Sequence, residues 1–176
     1  MAFPPGYGWL STVGPLPLMT QEALKLYGTT ETPGTANNAE IMAWAKACNL
    51  DKVYTADSIA WCGLFAAIVA KRSGRSPVNQ PLWARNWRNF GEPSPEASLG
   101  DILVFARGSY GHVGFYVGED TTCYHVLGGN QSDKVCITRI LKSRLIAKRR
   151  PRYSVKPASA KPYWLKSDGA ISNNEA

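Results

Sequence analysis

One of the four cysteines and one of the two histidines stand where nucleophilic chemistry is possible. Cys62 follows Asp57 and Ser58, both good N-cap residues for an apolar helix running from Ile59 to Arg72 and closed by Ser73-Gly74. The thiol then falls in the first helical turn, where backbone N–H groups and the helix dipole stabilise a thiolate. Taken alone, the same residue reads as readily as a buried core cysteine. His112 opens a predicted strand directly after the turn Gly108-Ser109-Tyr110-Gly111, which puts its imidazole at the end of a sheet. A neutral imidazole there can take the thiol proton and later protonate a leaving amine. The third feature is the loop from Leu127 to Asp133. Asn130 or Gln131 could accept a hydrogen bond from the imidazole and fix its tautomer, although Gly-Gly-Asn also serves as ordinary turn chemistry.

These groups need elements to hold them. Residues 1–19 are rich in Gly and Pro and read as an irregular lead-in. Thr20 caps an expected short helix, Gln21 to Tyr27, ending at Gly28, and a second helix is expected from Ala39 to Cys48, with Ile41, Trp44, Ala45 and Cys48 on one face. The third, bearing Cys62, is apolar nearly all round and should be central and buried. A short helix is plausible from Pro81 to Phe90, where Trp83 and Trp87 read as core residues in a segment that could border a cleft. From Leu99 the period changes to strands: 101–106, 113–117, 122–127, 134–140 and 144–149, spaced for an antiparallel meander. Helices first and an antiparallel sheet second give an α+β class, with one domain over 20–155 and a basic, loosely ordered tail over 156–176. Cys48, Cys123 and Cys136 read as packing residues, His125 as a half-exposed strand residue, and Tyr54 and Asp57 lie close enough to Cys62 to line its site or merely to cap and pack.

Composition narrows the function. The 176 residues are 44% hydrophobic and 11% aromatic but only 19% charged, which excludes global disorder. No apolar run approaches the roughly 18 residues that argue for a membrane span. Met1 to Pro5 carry no signal-peptide pattern, so an extracytoplasmic role implies release or export by another route. Twenty Lys and Arg against 13 Asp and Glu give a net charge of +7, much of it in Lys142 to Arg150, which favours an anionic envelope; no nucleic-acid motif accompanies it. No CxxC pairs occur, so neither a metal nor a cofactor is expected, and a monomer is.

Four blocks in order, Trp61-Cys62-Gly63-Leu64-Phe65, Leu99-Gly100-Asp101-Ile102, Gly111 to Val117 and Leu127-Gly128-Gly129-Asn130-Gln131, resemble CHAP-type and NlpC-like cysteine peptidases and amidases. Trp61 stands where NlpC-like members often carry Asp, so the resemblance falls on the CHAP side. It implies a papain-like α+β fold and cleavage of amide bonds in bacterial peptidoglycan, as in phage endolysins, with Cys62 as nucleophile, His112 as base and Asn130 as the orienting residue. Trp61 and Gln131 are then expected to touch substrate. A non-catalytic wall-binding or phage structural module that keeps the fold is the alternative.

Overall fold

A computed structural model describes residues 3–166 and 170–172. Three α-helices, α1 (Leu18–Lys25), α2 (Ala39–Ala47) and α3 (Cys62–Arg72), precede six strands: β1 (Glu92–Pro93), β2 (Ile102–Arg107), β3 (Tyr110–Glu119), β4 (Cys123–Gly128), β5 (Cys136–Leu141) and β6 (Leu145–Arg150). The strands form one antiparallel sheet in the order β1-β6-β2-β3-β4-β5. The expected meander is therefore real from β2 to β5, while β6 returns to pair with the outer edge of β2. The class is α+β.

Local sequence explains each boundary. Asn38 caps α2 by accepting from the N–H groups of Glu40 and Ile41. α1 begins at Leu18, two residues before the expected cap Thr20, with Pro17 supplying the pre-helical φ. The segment 81–90 contains a 3₁₀ helix, Ala84–Asn89, in place of an α-helical turn. Within it, Trp87 is buried as expected, its Nε1 donating to the Pro81 carbonyl, whereas Trp83, just before it, is 61% exposed and lines a cleft.

α3 is the central helix. Nine successive residues, Cys62 to Ala70, are buried, and each large apolar side chain among them contributes about 1.5–3 kcal/mol. They pack against Trp44 and Ile41 of α2, Leu24 of α1, and Val113, Phe115 and Leu127 of the sheet. Gly74, at φ +74, ends the helix, with the N–H groups of Gly74 and Arg75 returning to the carbonyls of Lys71 and Ala70. The start of α3 differs from expectation: neither Asp57 nor Ser58 caps it. The Asp57 carboxylate instead accepts from the N–H groups of Thr32 and Asn38, tying the 32–38 loop to the approach of α3.

A second apolar cluster, including Phe105, Tyr116, Tyr124 and Ile140, lies apart from the main core. His125, expected to be half-exposed, is 2% exposed. Its Nε2 is 3.1 Å from Asp120 Oδ2, its Nδ1 is 2.7 Å from the Tyr7 hydroxyl, and Arg139 Nε also reaches Asp120. This network ties the lead-in to the sheet. The basic run of β6 is largely engaged internally: Arg149 donates to the carbonyls of Phe90 and Gly91, Arg150 pairs with Asp101, and Lys148 reaches the Pro95 carbonyl. Much of the charge in 142–150 thus clasps strands and loops together. In the tail, Ala160 and Ser159 are buried and Trp164 bridges to Glu119, whereas 167–169 and 173–176 lie outside the described residues.

Candidate active site

The first residue of α3 is Cys62, and no side chain caps the helix end that carries it. The first backbone N–H groups of the helix have no intrahelical carbonyl to meet and retain donor capacity. A close approach behind the thiol explains Gly63: a Cβ there would lie 2.2 Å from the Pro81 carbonyl oxygen. Only glycine lets the 80–86 segment press against the start of α3 and form one wall of a cleft. That cleft has a volume of about 820 Å³, and its lining includes Cys62, Glu31, Asn130, Asp133, Trp83 of the 80–86 segment and Arg107 of the β2–β3 hairpin.

β3 carries His112 opposite Phe105 of β2, with no exposed surface. The Cys62 thiol meets the backbone of Val113, the residue after His112 in β3. Burial pushes the Cys62 thiol up; hydrogen bonding from the backbone of Val113 and Gly63 and the charge of Arg107 pull it down but do not outweigh the burial. The helix terminus was expected to favour the thiolate. With the thiol only 5% exposed, desolvation outweighs the helix terminus.

The loop after β4 assigns the imidazole tautomer. Gln131, not Asn130 as expected, contacts His112, with its Oε1 3.0 Å from His112 Nε2. The Gln131 Nε2 donates to the carbonyls of Val126 (3.1 Å) and Cys136 (2.6 Å), so the amide cannot turn, and its oxygen must face the ring. His112 Nε2 therefore carries the hydrogen and Nδ1 is the basic nitrogen. Gly128 makes room for this pair, since a Cβ there would lie 2.5 Å from Gln131 Oε1 and 3.1 Å from His112 Nε2. The reversal of roles has a backbone cause. Asn130, Ser132 and Asp133 all hold positive φ (55°, 53° and 60°), which breaks the simple alternation of side chains expected in the loop.

Residues 54–130 match the family model described as the CHAP domain. Over that stretch the chain is similar to CHAP domains. CHAP domains are papain-like and suggest a peptidoglycan hydrolase family, and the α+β arrangement found here agrees with that fold. No curated protein matches the chain.

Of the other expected site residues, Gln131 is 1% exposed and holds the imidazole, and so is not a substrate contact. Trp61 is fully buried as well: its ring packs 6.0 Å from Trp44 and its Nε1 donates to Glu31 Oε2 at 3.2 Å. It acts from behind the cleft wall. Asn130 lines the cleft, and Tyr54, also fully buried, braces the approach to α3 by donating to the carbonyls of Asp57 and Ile59. Glu31, Arg107 and Asp133 escaped the reading of the sequence. Arg107 was within reach of it, because it pairs with Tyr110 in the same hairpin that delivers His112. Glu31 lies 31 residues before Cys62 in a polar loop, where nothing local marks it.

Proposed function

We propose that this CHAP-like chain is a thiol hydrolase that cleaves an amide bond in the peptide part of bacterial peptidoglycan, as an endopeptidase or an N-acetylmuramoyl-L-alanine amidase. The observation that carries the reading is the Gln131 amide, pinned by two carbonyls, whose oxygen faces His112 Nε2 and leaves Nδ1 as the basic nitrogen one residue before Val113, whose backbone meets the Cys62 thiol at an uncapped helix start. In this mechanism Cys62 Sγ attacks the carbonyl carbon as its proton passes to His112 Nδ1. The tetrahedral oxyanion is stabilised by backbone N–H groups at the start of α3. His112 then protonates the departing amine, leaving a thioester on Cys62, and afterwards takes a proton from the water that hydrolyses it. Gln131 holds the ring throughout and becomes a stronger partner when the imidazolium forms.

Exposed Trp83 and Tyr110 at the cleft offer flat apolar surface to a sugar or peptide chain. A net charge of +7 favours approach to an anionic envelope, which suits action on the wall after release or export, as in a phage endolysin. The test is the turbidity of a peptidoglycan suspension, with and without a thiol alkylator, followed by mass spectrometry of the fragments from defined muropeptides. Clearing that the alkylator abolishes, with new amine ends at one type of amide, is the expected result. Turbidity unchanged in both arms would indicate a non-catalytic wall-binding module instead.

A further inference from the structure

In a chain with a net charge of +7, one part of the cleft is acidic. Glu31 and Asp133 come from separate loops, and the Glu31 N–H donates to the Asp133 carbonyl at 2.7 Å. Both line the cleft that holds Cys62. Trp61, the residue before the nucleophile, donates its indole N–H to Glu31, and its ring lies against Gly129, the neighbour of Asn130. Glu31, Asn130 and Asp133 therefore share one stretch of cleft next to the thiol. Among the described residues, no Lys or Arg pairs with either carboxylate.

An independent observation indicates what belongs there. Asn130 is 5% exposed, and its Oδ1 has no hydrogen-bond partner within the protein. Leaving a buried acceptor unsatisfied costs about 1–3 kcal/mol, which a donor from a ligand would recover. Its backbone is also held at positive φ, a strained setting of the kind found at ligand clamps. A calcium-like ion would want six to eight oxygen ligands, and the described residues contain no group of three His, Cys, Asp or Glu side chains placed to hold a metal. An ammonium group presents three donors and no acceptor, matching two carboxylates and one amide oxygen.

We propose that Glu31, Asp133 and Asn130 form a subsite for a positively charged amine of the substrate, either the side-chain ammonium of a diamino acid or a peptide N-terminus. The word substrate rests on the hydrolase reading above; the binding site itself does not. Its position beside Trp61 makes it a determinant of which amide reaches Cys62, because the amine fixes the register of the peptide along the cleft.

The test uses a stem-like peptide, Ala-isoGln-Lys-Ala, in four forms: both amines free, Nα-acetylated, Nε-acetylated and doubly acetylated. Each is titrated into the full chain by calorimetry, with the Trp61 indole N–H followed by NMR as a local reporter. The parent peptide should bind at least tenfold more tightly than the doubly acetylated one and move the Trp61 resonance. One singly blocked form should lose that advantage, which identifies the amine that is read. Asp133→Asn, at an exposed position, and Glu31→Gln combined with Asp133→Asn should erase the preference, and Asn130→Ala should reduce it, with circular dichroism confirming folding. Equal affinity for all four peptides, no binding of any, or a preference that survives in folded Asp133→Asn and Asn130→Ala would overturn the proposal. Repeating the titration with Cys62→Ala separates the two readings: amine preference kept there, while the wild type leaves walls intact, would sink the hydrolase reading and keep the subsite.

Discussion

Replacing Gln131 by Ala removes one side chain and three buried hydrogen bonds: the one from His112 Nε2 at 3.0 Å and those to the carbonyls of Val126 and Cys136 at 3.1 and 2.6 Å. In the proposed mechanism the ring is an imidazolium in the transition state, and a hydrogen bond to a charged group contributes about 1.5–3 kcal/mol. At about 1.36 kcal/mol per decade, kcat should fall roughly 10- to 160-fold. Because Gln131 is buried away from the cleft lining, KM should change little. Stability should fall by about 2–3 kcal/mol through the unpaired donor and carbonyls, and at roughly 2–4 °C per kcal/mol for a chain of this size that lowers Tm by roughly 4–12 °C. A merely structural residue would show the Tm loss alone. Gln131→Glu separates the roles: it sets a carboxylate beside the imidazole, which should raise the imidazole pKa and move the acid limb of the kcat/KM profile to higher pH. Steady-state kinetics on a defined muropeptide, from pH 5 to 9, with folding checked by circular dichroism, provides the readings. A folded Gln131→Ala protein within twofold of the wild-type kcat, or Asn130→Ala losing more kcat than Gln131→Ala, would refute the assignment.

Gly128→Ala should lower kcat at least tenfold in a protein that still folds, since its Cβ would displace the Gln131–His112 pair; a wild-type rate from the folded variant would show that the pair tolerates displacement. In His112→Ala the Cys62 thiol, raised by burial, should be alkylated by iodoacetamide with a midpoint above the ordinary thiol value of 9.0, and a midpoint below it would mean that the helix terminus outweighs desolvation. At Asp120, burial pushes the carboxyl up, but hydrogen bonds from Arg139, the Thr122 and Cys123 N–H groups and His125 outweigh it and hold the group well below the usual carboxylate range. A depressed folded pKa contributes stability above the unfolded value near 3.8 that is lost as pH falls toward the folded one. Asp120→Asn should therefore cost about 3 kcal/mol at neutral pH, with the Tm gap closing below about pH 4; a gap independent of pH from 2 to 7 would contradict this.

Residue type and flanking elements single out Cys62 and His112 in the sequence, and their placement in the first turn of α3 and in β3 is as read. Apolar continuity marked α3 as the central helix, short apolar runs bounded by glycine marked β2 and β3, and alternation marked β4 and β5. The start of α3 was displaced by three residues, since the carboxylate that looks like its cap is drawn to the amides of Thr32 and Asn38, a contact that spans a loop. The choice between Asn130 and Gln131 depended on three departures to positive φ among the four residues 130–133, which tertiary packing imposes and neighbouring residue types only permit. The arginines of β6 looked like a surface patch because charge runs usually face water. Here Asp101 and the carbonyls of Phe90 and Gly91 wait for them across strand pairings set by the sheet order. Glu31 reaches the site through Trp61, a contact between residues thirty positions apart.

The central claim is that Cys62 is the nucleophile, and the most direct measurement is the release of muropeptide fragments, followed by mass spectrometry, from purified peptidoglycan treated with wild-type protein and with Cys62→Ala shown by circular dichroism to be folded. Replacing a small residue in the first turn of α3 should leave the fold near wild type, so the account expects fragments from the wild type and background levels from the variant. Release at the wild-type rate by folded Cys62→Ala would contradict it.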